Sequence, residues 1–71
     1  MIEKLIKDLY RNGFCEFDSH DNLMYFHQDE GKQITEDDLN RATEIAEKHG
    51  LSVNVYGHTD LTMTIEINQE T

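Results

Sequence analysis

Four residues of this chain are typed and spaced as if to hold a metal ion: His20 and Asp21 in SHDN, and His58 and Asp60 in GHTD. Imidazole nitrogens and carboxylate oxygens ligate zinc and other divalent cations, and the four would form a site if the two segments met. Ser, Asp, Asn and Gly are also the residues that tight turns use for backbone reasons, which accounts for both segments without a metal. The other reactive group is Cys15, which a neighbouring histidine could activate as a nucleophile. Alternation along FCEFD turns Cys15 towards the core, where a free cysteine behaves as a small, inert hydrophobe. His27 and His49 stand singly, and His49 suits a helix C-terminus as a cation near the negative end of the dipole. The sequence holds no glycine-rich phosphate loop, nucleophile elbow or HExxH motif. The expectation is a protein that is not an enzyme, with no catalytic residue, no cofactor and no metal.

The chemistry that stands out is charge. Fifteen acids face six bases, a formal net charge of −9. Residues 12–40 concentrate it, with eight acids (Glu16, Asp18, Asp21, Asp29, Glu30, Glu36, Asp37 and Asp38) against Lys32, a local −7. Residues 1–11, by contrast, carry three bases and two acids. Such a balance disfavours direct contact with nucleic acid or an anionic membrane and speeds encounter with a basic partner. Glu36, Asp37 and Asp38 have a structural use, since they fill the first turn of a helix where the dipole is positive. Asp37 can also pair with Arg41. Asp29 and Glu30 have no such use, and Glu16 and Asp18 lie on a strand, where acids are disfavoured. Two residues apart on one strand face, they would sit about 6.7 Å from each other and repel. Carboxylates in rows resemble the phosphate rows of DNA, which attract any protein with a Lys/Arg-rich DNA-binding surface. The eight acids of residues 12–40 are therefore the candidate partner-binding set.

The elements that must position them repeat one plan twice. Ile2, Leu5, Ile6, Leu9 and Tyr10 recur at helical spacing, with Glu3–Lys7 and Lys4–Asp8 available as ion pairs one turn apart. Asn12-Gly13 stops this helix. FCEFD, a loop SHDN and LMYFH follow as two strands and a turn. Thr35 then caps a second helix, with Asp38 completing a capping box and Ile34 and Leu39 a hydrophobic staple. Leu39, Ala42, Ile45 and Ala46 form its apolar stripe, and Gly50 closes it. LSVNVY, a turn GHTD and the alternating LTMTIEI complete the second unit, and YRNGF matches EKHGL at the helix–strand joint. The pattern predicts an αββαββ α+β domain over residues 1–71, a four-stranded, mostly antiparallel sheet with two helices on one face. Cys15, Phe17, Met24, Phe26, Val53, Val55, Met63 and Ile65 are expected to face the helices. The opposite face is expected to show Glu16, Asp18, Tyr25, His27, Ser52, Asn54, Tyr56, Thr62, Thr64 and Glu66, with the two tyrosines as interface anchors. Strand order is not legible, although LTMTIEI has the look of an unprotected edge through which two chains could pair.

One cysteine excludes an internal disulfide, and no apolar run is long enough to cross a bilayer. The expected compartment is the cytoplasm, and the expected state a monomer or homodimer. In size, charge and αββαββ pattern the chain resembles the small acidic phage-encoded proteins that take over host functions by mimicking DNA. Among these it is most similar to the phage inhibitors of the bacterial nucleoid protein HU. That resemblance implies an acidic surface occupying the DNA-binding cleft of a basic, HU-like host protein in the bacterial cytoplasm and displacing its DNA. The residues also admit, as the runner-up, an acidic adaptor or regulatory subunit that binds through the open sheet face, and behind it a metal- or ligand-binding domain.

Overall fold

The computed structural model describes residues 2–68. The elements run α1 (Ile2–Arg11), β1 (Phe14–His20), β2 (Leu23–Gln28), α2 (Glu36–Lys48), β3 (Val53–Thr59) and β4 (Thr62–Ile67). This is the αββαββ plan. Gly13 and Gly50 end the two helices at φ of 91° and 77°, a left-handed conformation that costs glycine little. Thr35 caps α2 as the sequence predicts: its Oγ1 accepts from Asp38 N–H, and Asp38 Oδ2 accepts from Thr35 N–H at 2.8 Å.

The sheet is wholly antiparallel, in the order β1-β2-β4-β3. β4 is therefore a central strand, and the edges are β1 and β3, contrary to the expectation for LTMTIEI. It is bonded on both sides and buried at Met63, Thr64 and Ile65, and its unbroken alternation marks which face meets the helices. In the central pairing Tyr25 stands opposite Thr64, Met24 opposite Ile65 and Phe26 opposite Met63. Exchanging the two halves maps the first pair onto itself and the second onto the third. The repeat seen in the sequence is thus a local two-fold through the middle of the sheet. Leu51 and Ser52, which lengthen the second helix–strand joint, break it outside the sheet.

Both hairpins are tighter than read. His20 pairs with Leu23 and Thr59 with Thr62, so each loop is two residues, Asp21-Asn22 and Asp60-Leu61. Asp21 adopts φ 55°, which Asp tolerates better than most residues. The Thr59 hydroxyl accepts from Leu61 N–H at 3.2 Å and contacts Thr62 Oγ1 at 2.7 Å, which fixes the second turn from within. Leu61 is thereby exposed at the turn and not directed inward.

The core is built from Leu5 and Leu9 of α1, Ala42, Ile45 and Ala46 of α2, and Phe14, Met24, Phe26, Met63 and Ile65 of the sheet. Phe14 is fully buried, while Phe17 is 51% exposed and Cys15 only half-buried. The inward facing expected for Cys15 and Phe17 is overturned. The cause is a β-bulge: Glu16 pairs with Phe26 and Asp18 with Tyr25, leaving Phe17 as the extra residue. Before the bulge, Phe14 and Glu16 lie on the helix side and Cys15, opposite His27, on the other. Arg41 closes the core beside α1. Its guanidinium carbon sits 4.8 Å from the Phe14 ring centroid, and its Nη2 donates to Asp38 Oδ1 at 3.2 Å. Asp38 thus takes the partner expected for Asp37, because Asp38 is already turned inward by the cap. In α1, Asp8 bonds His49 Nε2 at 3.0 Å instead of Lys4, and neither Lys4 nor Lys7 makes an ion pair among the described residues.

These facings separate two phenylalanines that the sequence treats alike. Phe14→Ala should cost about 3–5 kcal/mol by opening a core cavity. Phe17→Ala should cost less than about 1 kcal/mol, as a half-exposed surface residue does. Urea denaturation of both variants measures the difference, and equal losses would mean that Phe17 is a core residue after all.

Candidate functional site

The eight candidate acids do not form one flat row. Glu16 and Asp18 leave opposite faces of the sheet, because the bulge at Phe17 inserts a residue between their partners Phe26 and Tyr25. The close like-charge pair expected of them does not form, although both remain along the β1 edge. Asp21 occupies the β1–β2 turn at one end of that edge. Asp29 follows β2 at the other end, where its N–H donates to Gly13 carbonyl at 2.8 Å. The strand between them spans seven residues, about 20 Å at strand rise.

The connection to α2 gathers the other acids at that second end. Gln28 Nε2 donates to Asp38 Oδ2 at 2.9 Å and to Gln33 carbonyl at 2.7 Å, tying the end of β2 to the first turn of α2. Asp29, Glu30, Glu36, Asp37 and Asp38 are thereby grouped. Ile34 N–H donates to Asp60 carbonyl at 2.8 Å, which adds the exposed Asp60 of the β3–β4 turn to the same end. The sequence placed Asp60 with the turn ligands and not with the acidic set, because its proximity to that set depends on strand order. Of the eight candidates, only Glu30 (to Lys32, 3.0 Å) and Asp38 (to Arg41) pair with a cation among the described residues. Asp38 is the least available, being spent on the helix cap.

The sheet face away from the helices carries a ring cluster that the sequence revealed only in part. Tyr25 lies at its centre, with ring centroids 6.2 Å from Phe17, 5.8 Å from His20 and 5.4 Å from His58, and His27 lies 5.8 Å from Phe17. A second bulge, between Gly57 and Thr59, frees His58 to reach Tyr25 just as the first frees Phe17. The two turns that suggested a shared metal site lie at opposite ends of the sheet. Their histidines approach Tyr25 from either side, and among the described residues no three His, Cys, Asp or Glu gather as ligands. Thr64, paired with both Tyr25 and Tyr56, is only 2% exposed under this cover, and its hydroxyl has no hydrogen-bond partner. Tyr56 and Phe17 stay substantially exposed. Aromatic surface of this kind beside an acidic margin is how protein interfaces are composed, with anchors at the centre and charge at the rim.

Cys15 sits where the edge meets the acidic end, its Sγ 3.8 Å from Asp29 Oδ1. Burial pushes the thiol pKa up, and the Asp29 carboxylate raises it further by its charge and by accepting the S–H. A raised pKa means less thiolate at any pH below it, hence slow nucleophilic chemistry. No helix among the described residues is long and apolar enough to cross a membrane.

Two outcomes follow from this geometry. Asp29→Asn should speed alkylation of Cys15 by iodoacetamide between pH 7 and 9, because it removes the negative charge that holds the proton on sulfur; an unchanged rate would leave burial as the sole cause. Thr64→Val should be neutral or stabilising by up to about 1 kcal/mol in thermal denaturation, since a buried hydroxyl without a partner is replaced by a methyl of similar size. A clear loss of stability would mean that the hydroxyl is satisfied. Compared with known proteins, the chain matches no family model, no curated protein and no solved structure.

Proposed function

We propose that this chain is an acidic decoy that binds the DNA-binding surface of a basic protein, of the HU-like class, and displaces DNA from it. The observation that carries the reading is the state of the acids. Glu16, Asp18, Asp21, Asp29, Glu36 and Asp37 lie along one edge and one end of a rigid sheet, and none pairs with a cation among the described residues. A fold that keeps so many carboxylates unneutralised pays for it in self-repulsion, which contact with a Lys/Arg-rich surface relieves. The mechanism is electrostatic: the carboxylate edge steers encounter, releases the counterions of both surfaces and occupies the place of phosphates. The adjacent rings, Phe17 and Tyr25 foremost, supply the desolvated contacts that slow dissociation.

The same rings favour a second reading, an adaptor that engages its partner through the open sheet face alone. The two readings part over DNA. A decoy releases labelled DNA from a basic DNA-binding protein and does not bind the DNA itself, whereas an adaptor leaves DNA in place in a ternary complex.

Changing Asp18, Asp29 and Glu30 to Lys should weaken binding to an HU-like protein by about tenfold or more and flatten its salt dependence, because exposed charges act over about 8–10 Å at physiological ionic strength. Changing Glu3, Glu44 and Glu47 to Lys alters net charge equally at exposed sites outside this surface. Fluorescence anisotropy against sodium chloride compares the two. Equal weakening would reduce the effect to total charge and end the decoy reading.

A further inference from the structure

The cations of α1 are left over by the reading above. Lys7 and Arg11, one helical turn apart, make no ion pair among the described residues, although the chain has a net charge of −9. They flank a groove of about 360 Å³ between α1 and the β1 edge, lined by Ile6, Lys7, Tyr10, Arg11, Cys15 and Glu16. That volume falls in the lower part of the range of small-molecule sites. Ile6 and Tyr10 line it on the α1 side, and Tyr10 is 63% exposed, a large apolar surface left to solvent beside two cationic heads. Lys7 and Arg11 are both exposed, and the apolar stems of lysine and arginine suit such a lining while their charged ends favour solvent. The β1 edge at Cys15 and Glu16 forms the other wall. Glu16 faces α1 only because the bulge at Phe17 sets it in register with Phe26.

The geometry points to a binding site in this α1–β1 groove for a small amphipathic monoanion, with its apolar body against Ile6 and Tyr10 and its carboxylate on Lys7 and Arg11. The charge pattern decides the class. Two cations against one carboxylate leave the lining at +1, so a single negative charge is compensated. Glu16 on the facing wall opposes a second negative charge and keeps the head group on the helix side. A cationic amphiphile meets the opposite pattern, with one attractive group and two repulsive ones. The site does not rest on the decoy reading: it needs no protein partner and uses cations which that reading does not employ, and Glu16 is the one residue the two share.

Titration of the isotope-labelled full chain with decanoate, followed by amide chemical shifts, tests the site. Saturable shifts confined to residues 6–16 are expected, with decylamine at equal concentration producing none there. The double substitution Lys7→Gln and Arg11→Gln should weaken decanoate about tenfold, the scale of a charge-assisted contact. Glu16→Gln should tighten it, a gain that a damaged fold cannot imitate. Absence of saturable shifts, equal binding of decylamine, unchanged or weaker affinity in Glu16→Gln, or shifts centred on Tyr25 and Phe17 would each overturn the proposal.

Discussion

The pairing of β2 with β4 is the contact on which the rest of the molecule depends. Each αββ unit has a hairpin with one apolar face, and neither hairpin alone buries enough surface to be stable in water. Joining them along β2 and β4 places Phe26 opposite Met63 and Met24 opposite Ile65, four core residues in one register beneath both helices. A shift of one residue would send the pair on the strand that moved, Met63 and Ile65 or Met24 and Phe26, to the opposite face. With no disulfide to help, that register and the two helices packed on it hold a chain near the small end of what folds alone.

The two bulges then redistribute the chemistry. A regular β1 would have placed Glu16 and Asp18 side by side and buried Phe17. The extra residue instead sends Phe17 outward to Tyr25, keeps Phe14 inward and splits the two acids between the faces. The second bulge brings His58 to the same tyrosine. Bulges also twist and interrupt edge strands, and both lie on edges here, where unpaired backbone groups would otherwise invite another chain. The Phe17 bulge therefore shapes the acidic edge and the wall of the α1–β1 groove, and the two bulges together shape the aromatic face.

Structural and idle charges are distinguishable by their partners. Asp38 serves the α2 cap, Gln28 and Arg41 at once, and Asp8 bonds His49 across the two helices. These acids stabilise the fold and have little left for a ligand. Asp18, Asp29, Glu36 and Asp37 make no ion pair among the described residues, as do Lys7 and Arg11 on the neighbouring helix. The molecule thus presents an acidic edge and end beside a smaller basic flank, two surfaces suited to partners of opposite charge.

The element plan was legible in the order of residues, because hydrophobic period, glycine stops and the Thr35–Asp38 box are local signals contained within one turn or one strand. So was the buried face of β2 and β4, since Met24, Phe26, Met63 and Ile65 alternate without interruption. Strand order came from long-range packing, and with it the central place of β4 and the arrival of Asp60 at the acidic end. That packing alone decided the bulge at Phe17, because alternation along FCEFD favours Cys15 and Phe17 inward, and only a register shift within the strand buries Phe14 instead. The choice was made by cross-strand register against Tyr25 and Phe26 and by the room beneath α1 for Phe14. Register is a property of two strands held together by all their contacts at once, and no residue in β1 encodes it alone.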